Sequence, residues 1–404
     1  MLDATDPATV PVKKRETQQI TNRTATKEVL ANARADVERF GLDKYLIIDV
    51  DCHHTELSNW ARVLGYIDDV VLRRDALYMN EMRPGALINA PVGLYYQEVG
   101  GRIPHSSQTS WEPMDDECGR LRDVVALERS MDMMGIDLQV VFPEALLQIG
   151  THPQTDVEVL VTKAYTRYLV EEVLPSSNRL KSLVPLPFAD PKACVEAVEK
   201  YADHPDVVGF MIASQRHQGV QQPEYMPLYD LIQDTGLPLA FHAGPTFLDS
   251  WGKQLNKFIS VHSVSFVMCN IVHMTSWIYN GIPERFPRLK TIWVESGLAW
   301  VPFLMQRLDS EYMMRQSDAP LLKKLPSEYI KEMYFTSQPM EATNLTALEM
   351  TMKIMDAENT LLYASDWPHW DFDAPSRIVT LPFLSEEGKR KILGENARRV
   401  FKKL

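Results

Sequence analysis

Short apolar runs alternate with longer amphipathic stretches along most of this chain. The run Tyr45-Leu46-Ile47-Ile48 opens the series, and similar runs follow at 138–142, 182–186, 207–212, 237–242, 289–295, 333–336 and 360–366. Their length and their content of β-branched, leucine and aromatic residues predict strands. Between them, apolar positions recur at helical spacing over 122–134, 155–174, 191–202, 225–235, 257–280, 299–315 and 341–355. Strands alternating with helices imply parallel βαβ units. Eight such units predict an α/β fold of the (β/α)8 TIM-barrel type.

The two ends of the first unit depart from that rhythm. Residues 1–25 are polar, with Thr, Pro and Gln prominent, and read as a flexible arm. A helical pattern over 27–40 stops at Gly41, a reasonable helix end. Residues 1–44 are therefore expected to form an N-terminal arm that packs on the main domain or on a partner subunit, with the barrel over 45–404. After the first strand the chain does not return promptly to regular structure. The segment 57–120 is rich in Met, Tyr, Trp, Arg and Gly, and so long an insertion suits a lid over a site or an oligomer contact. It carries Arg73, Arg74, Arg83 and Arg102, any of which could hold a carboxylate, although arginine is usually a surface residue. The arm, the insertion and the prevalence of symmetric assemblies point to a homodimer or larger homo-oligomer.

Composition changes the picture mainly by exclusion. The chain has 404 residues, is 45% hydrophobic and 24% charged, and carries a net charge of −12. No block of Lys or Arg dominates, so nucleic acid and anionic membrane are not expected partners. No apolar stretch approaches the roughly 20 residues a membrane span needs, and the N-terminus lacks the apolar core of a secretory signal. Cys52, Cys118, Cys194 and Cys269 are scattered, without the spacing of a disulfide framework or a thiolate zinc site. A reducing, cytoplasmic setting and a small-molecule substrate fit this balance.

The candidate chemistry lies where the apolar runs end. Asp51-Cys52-His53 follows the first run, and residues two apart on a strand share a face. Asp51 and His53 can thus reach one object together, with Cys52 turned to the opposite face. His242 ends the fifth strand, Glu295 the sixth and Asp366 the eighth. In such barrels the chemistry sits at the C-terminal ends of the strands. Carboxylates and imidazoles suit one divalent ion, Zn²⁺ first, with Mn²⁺ or Fe²⁺ open. Trp293, Trp300, Trp367 and Trp370 lie near strand ends and would suit a flat substrate, though tryptophan in a barrel is more often core.

Asp49-Val50-Asp51-Cys52-His53, Phe241-His242-Ala243-Gly244, Gly281-Ile282-Pro283-Glu284-Arg285-Phe286-Pro287, Glu295-Ser296-Gly297-Leu298-Ala299-Trp300-Val301-Pro302 and Ser365-Asp366-Trp367-Pro368-His369-Trp370 resemble, in combination, the amidohydrolase superfamily. The resemblance is to its amidohydrolase-2 branch, which includes aminocarboxymuconate-semialdehyde decarboxylase and related aromatic acid decarboxylases. It covers residues 46–404, apart from the 57–120 insertion. It implies a single divalent metal held by Asp51, His53, His242 and Asp366. It also keeps His273, mid-helix, as a minor catalytic candidate. The first motif is acid-x-His rather than His-x-His, and Glu295 stands where many members carry a histidine that acts on the substrate.

Three functions follow. The first is a metal-dependent hydrolase of an amide, ester or lactone in a small aromatic or carboxylated substrate. The metal would activate a water, Asp366 would move its proton, and Glu295 would act as second base, extra ligand or orienting group behind a ligand histidine. His369, three residues past Asp366, would orient substrate or pair with Asp366. The alternative is a metal-dependent non-oxidative decarboxylase of an aromatic or unsaturated acid. The third is a barrel that binds metal or ligand without catalysis.

Overall fold

The computed structural model describes residues 26–82, 119–244, 252–369 and 371–404. The expectations for the 1–25 arm, for the 83–118 part of the insertion with Arg83 and Arg102, and for Cys118 and Trp370 lie outside these residues.

Eight parallel strands follow one another in chain order. They are β1 (Ile48–His54), β2 (Leu138–Pro143), β3 (Leu180–Pro185), β4 (Val207–Ala213), β5 (Leu239–His242), β6 (Thr291–Val294), β7 (Tyr334–Thr336) and β8 (Leu361–Leu362). The ring closes where β1 meets the segment around β8. Val50 N–H donates to the Tyr363 carbonyl at 3.0 Å and His53 N–H to the Trp367 carbonyl at 2.6 Å. The predicted (β/α)8 barrel is thus the observed fold.

Two strands differ from their apolar runs for a common reason. β1 extends through Asp51-Cys52-His53-His54 because its backbone is paired on both sides, so polar side chains do not end it. β8 is cut to Leu361–Leu362 because the chain beyond it turns, with Asp366 at φ 62.

Apolar side chains fall into two layers. Ile48, Val50, Val140, Leu183, Val208, Ala240, Ile292 and Leu362 form one cluster with Ala397, Val400 and Phe401 of the C-terminus. Lys403 Nζ donates to the Ala202, His204 and Val207 carbonyls, fastening that terminus under the start of β4. The larger cluster lies between strands and helices and contains Cys52, Val141, Phe241 and Trp293. Trp293 stacks on Phe241 at 4.5 Å, and Trp300 and Trp367 belong to the same layer. These tryptophans are core, not pocket walls.

The N-terminal helix Thr26–Phe40 packs on the helix Arg122–Met134, with Val29 and Ala33 buried. Gly135 ends the second of these at φ 71, and a Cβ there would lie 3.3 Å from Val37 Cγ2. Glycine supplies both the left-handed turn and the close approach. Within the 57–120 insertion, helices Trp60–Gly65 and Val70–Met82 are described. No described helix is long and apolar enough to cross a membrane.

Candidate metal centre

A register shift in β1 between Asp49 and Cys52 sorts its carboxylates. Asp49 turns to its neighbours in the wall: it accepts from Ser365 N–H at 2.8 Å, Ser365 Oγ at 2.6 Å and Gln139 Nε2 at 3.0 Å. Asp51 and His53 instead meet at the barrel mouth, where His53 Nε2 lies 3.6 Å from Asp51 Oδ1. Cys52 points away and reaches the Val140 carbonyl. His54 also points away, held by Asp123 at 3.0 Å and Tyr165 Oη at 2.5 Å.

His242 enters from β5, its Nε2 3.2 Å from Asp51 Oδ1, and Asp366 enters from beyond β8, its Oδ1 3.2 Å from His53 Nε2. Glu295 and Asp366 both take left-handed backbone, φ 56 and φ 62. That conformation costs a non-glycine residue roughly 1–2 kcal/mol. It is held by Glu295 N–H donating to Thr336 Oγ1 at 3.0 Å and Asp366 N–H to the Asp51 carbonyl at 2.8 Å. These turns set the Asp366 carboxyl against His53 and the Glu295 carboxyl behind the His242 ring.

The tautomers follow from the carbonyls, which only accept. His53 Nδ1–H donates to the Pro143 carbonyl at 3.2 Å, and His242 Nδ1–H to the Ala243 carbonyl at 2.7 Å. Each neutral ring therefore presents a lone pair at Nε2. Burial, then the neighbouring His369, pushes His53 below the usual imidazole range, which keeps it neutral. The His53 lone pair thus faces Asp51 and Asp366 with no proton to share. Asp51 Oδ2 and His53 Nε2 are buried without a hydrogen-bond partner. Such a set is repulsive by itself and suits a divalent cation. Ligand atoms of Asp51, His53 and His242 lie within 4.8 Å of one another, as do those of His53, Asp366 and His369.

Of the residues expected at the site, the structure brings Asp51, His53, His242, Asp366, Glu295 and His369 together. Glu295 belongs to neither converging group among the described residues. Its Oε2 lies 3.5 Å from His242 Nδ1, behind the ring, and its Oε1 4.0 Å from His369 Nδ1. Burial, and then the Asp366 and Asp51 charges, push its carboxyl well above the ordinary range. Burial also works against the charge on Asp366, but His369 outweighs it and holds that carboxyl below its ordinary value. Burial likewise opposes charging His369, yet Asp366 at 2.6 Å lifts it to about 10.

His273 is not brought into the site. Its helix, Phe258–Tyr279, packs outside the strands, and His273 Nε2–H donates to the Ser214 carbonyl at 2.8 Å. Burial lowers it to about 4, so it serves as a neutral strut. Sequence reasoning missed other residues. Phe142 sets its ring edge against His242 at 4.7 Å and Pro143 aims His53. Asp371 faces His262 at 4.0 Å. Only Phe142, at the end of a legible strand, carried a signal.

An eight-stranded parallel barrel with an acid-x-His pair, a β5 histidine and a β8 aspartate defines a barrel enzyme with a candidate metal site. The family model described as amidohydrolase matches residues 49–403, and the chain belongs to that family, in the branch its motifs implied. Gamma-resorcylate decarboxylase of Rhizobium is 22% identical over 285 residues, 67% of this chain and 85% of its own length. That of Polaromonas is 22% identical over 284 residues, 68% and 86%. The crystal structure of 5-carboxyvanillate decarboxylase from Sphingomonas paucimobilis superposes with TM-score 0.61 at 22% identity, covering 89% of this chain and 99% of that one. A 5-carboxyvanillate decarboxylase from Novosphingobium aromaticivorans complexed with manganese gives 0.61 at 18%, covering 90% and 97%. At these identities the structural likeness speaks to the fold.

Proposed function

We propose that this chain is a divalent-metal-dependent, non-oxidative decarboxylase of an aromatic acid. The sequence alone put hydrolysis first; the activities of the relatives favour decarboxylation. The observation that carries the proposal is Glu295, a buried carboxyl 3.5 Å from His242 Nδ1 and 4.0 Å from His369 Nδ1, pushed by burial above its ordinary range. A carbon left by departing CO2 needs a proton, and Glu295 supplies one.

Asp51, His53, His242 and Asp366 would hold the cation, and Mn²⁺ is proposed ahead of Zn²⁺ because two relatives carry manganese and half the donors are carboxylates. When bound, it would supply a grip on the substrate carboxylate and a neighbouring oxygen, and a sink for negative charge. Glu295 delivers its proton to the ring carbon that bears the carboxylate. The carbon–carbon bond breaks, CO2 leaves, and the proton takes its place. His369, 21% exposed at its side chain, links Glu295 to solvent for reprotonation. Asp366 stays ionised throughout, paired with His369.

The test is turnover of 2,6-dihydroxybenzoate and 5-carboxyvanillate by Mn²⁺-loaded protein in D2O and in H2¹⁸O. CO2 release with one deuterium on the product ring, lost in E295Q, is expected. No CO2 from either acid, with ¹⁸O entering the carboxylate released from their methyl esters in H2¹⁸O, would sink the proposal and restore hydrolysis. A homodimer or larger assembly and a cytoplasmic location are proposed with it, the latter supported by the buried thiols Cys52 and Cys194.

A further inference from the structure

One buried polar side chain at the mouth is not used by this chemistry. Gln215 is 4% exposed, and its Nε2 has no hydrogen-bond partner among the described residues. Buried amides are ordinarily satisfied, and one that is not calls for a partner from outside the chain.

Its direction follows from strand alternation. Ala213, the last residue of β4, clusters with Phe142 and Leu147 on the barrel side. Ser214 turns outward, its Oγ donating to Asn270 Oδ1 at 2.7 Å. Gln215 therefore returns to the barrel side. The ladder pairs Ala213 with His242, which sets Gln215 beside Gly244. A Cβ on Gly244 would lie 3.1 Å from Gln215 Nε2 and 3.8 Å from Leu147 Cβ, so glycine there leaves the amide its place. Two residues of strand separate it from the level of His242, roughly 7 Å. That is on the order of one substituted benzene ring.

The backbone under Gln215 is held from three sides. The Ser214 carbonyl accepts from His273. Arg216 donates to the Ala213 carbonyl at 3.3 Å and to Glu158 at 2.9 Å, with its guanidinium over Phe188 at 4.3 Å. A Cβ on Gly150 would lie 2.7 Å from the Gln215 carbonyl, so the loop after β2 packs directly upon it. A donor fixed this way is preorganised for a ligand.

We propose that Gln215 is a specificity-determining residue. Its amide donates a hydrogen bond to an oxygen on the substrate ring that lies meta or para to the carboxylate held at the ligand cluster. The inference rests on the aromatic-acid reading for the identity of the ring, and adds the requirement for a distal ring oxygen.

Calorimetric binding of 2-hydroxybenzoate, 2,4-dihydroxybenzoate and 2,5-dihydroxybenzoate to the Mn²⁺-loaded protein tests it. At least one dihydroxy compound is expected to bind the wild type about tenfold more tightly than 2-hydroxybenzoate. Q215M and Q215L, two apolar replacements of similar size, should erase that advantage while binding 2-hydroxybenzoate and Mn²⁺ like the wild type. No advantage in the wild type, an advantage kept in both variants, or an equal loss of all three compounds would overturn it. The same samples are assayed for CO2. Binding discrimination without CO2 would count against the proposed reaction and for the role of Gln215.

Discussion

Replacing Glu56 with Gln should remove a loss of stability that sets in as pH rises, and should weaken the hold on metal. Glu56 has no solvent exposure, and its carboxylate accepts the N–H groups of Glu144 at 3.2 Å and Ala145 at 2.7 Å. Those residues follow Pro143, whose carbonyl aims His53. Burial pushes Glu56 from 4.5 up to about 7, with the nearby His54 opposing. A carboxyl raised in the folded state favours folding while it keeps its proton, and that contribution is lost as pH rises from 4.5 through 7. The loss is about 3 kcal/mol. E56Q carries no such proton, so its stability relative to wild type should improve by about 3 kcal/mol between pH 5 and pH 9. Urea unfolding of the metal-free proteins at the two pH values measures it. The amide accepts at only one atom, so one of the two N–H groups loses its partner and the Pro143 carbonyl shifts. Mn²⁺ affinity should then fall about tenfold. An equal stability difference at both pH values would refute the linkage, and unchanged Mn²⁺ affinity would refute the path to His53.

The remaining expectations concern the metal, the support behind Gln215 and the assembly. Mn²⁺ at a hundred times its dissociation constant should stabilise the wild type by about 2.7 kcal/mol; H242A should lose most of that gain in thermal unfolding, since its Nε2 faces Asp51 at 3.2 Å. E158A strands Arg216, whose side chain is 1% exposed, and should cost about 3–5 kcal/mol in urea unfolding. Sedimentation at micromolar concentration should give a dimer or larger species, and a monomer would refute the proposed assembly.

Much of the barrel was legible because each strand is a continuous apolar run and each helix a periodic one. The candidate ligands were legible for the same reason: Asp51, His53, His242 and Asp366 each interrupt or end such a run. His273 misled because a histidine on an apolar helix looks alike whether it faces a pocket or the back of a sheet. Gln215 was invisible, being a polar residue in what reads as a loop.

From its order of residues alone, this chain declares a (β/α)8 barrel and the residue types that can meet a cation, because periodicity and strand ends are local properties. Contacts between distant segments decide the rest. The shift in β1 sends Asp49 into the wall while Asp51 stays at the mouth. Carbonyls of Pro143 and Ala243 choose the histidine tautomers. Left-handed backbone sets the Asp366 carboxyl against His53 and the Glu295 carboxyl behind His242, and burial among other acids pushes Glu295 above its ordinary range. Each depends on which groups lie within a few ångströms, and no spacing along the chain records that.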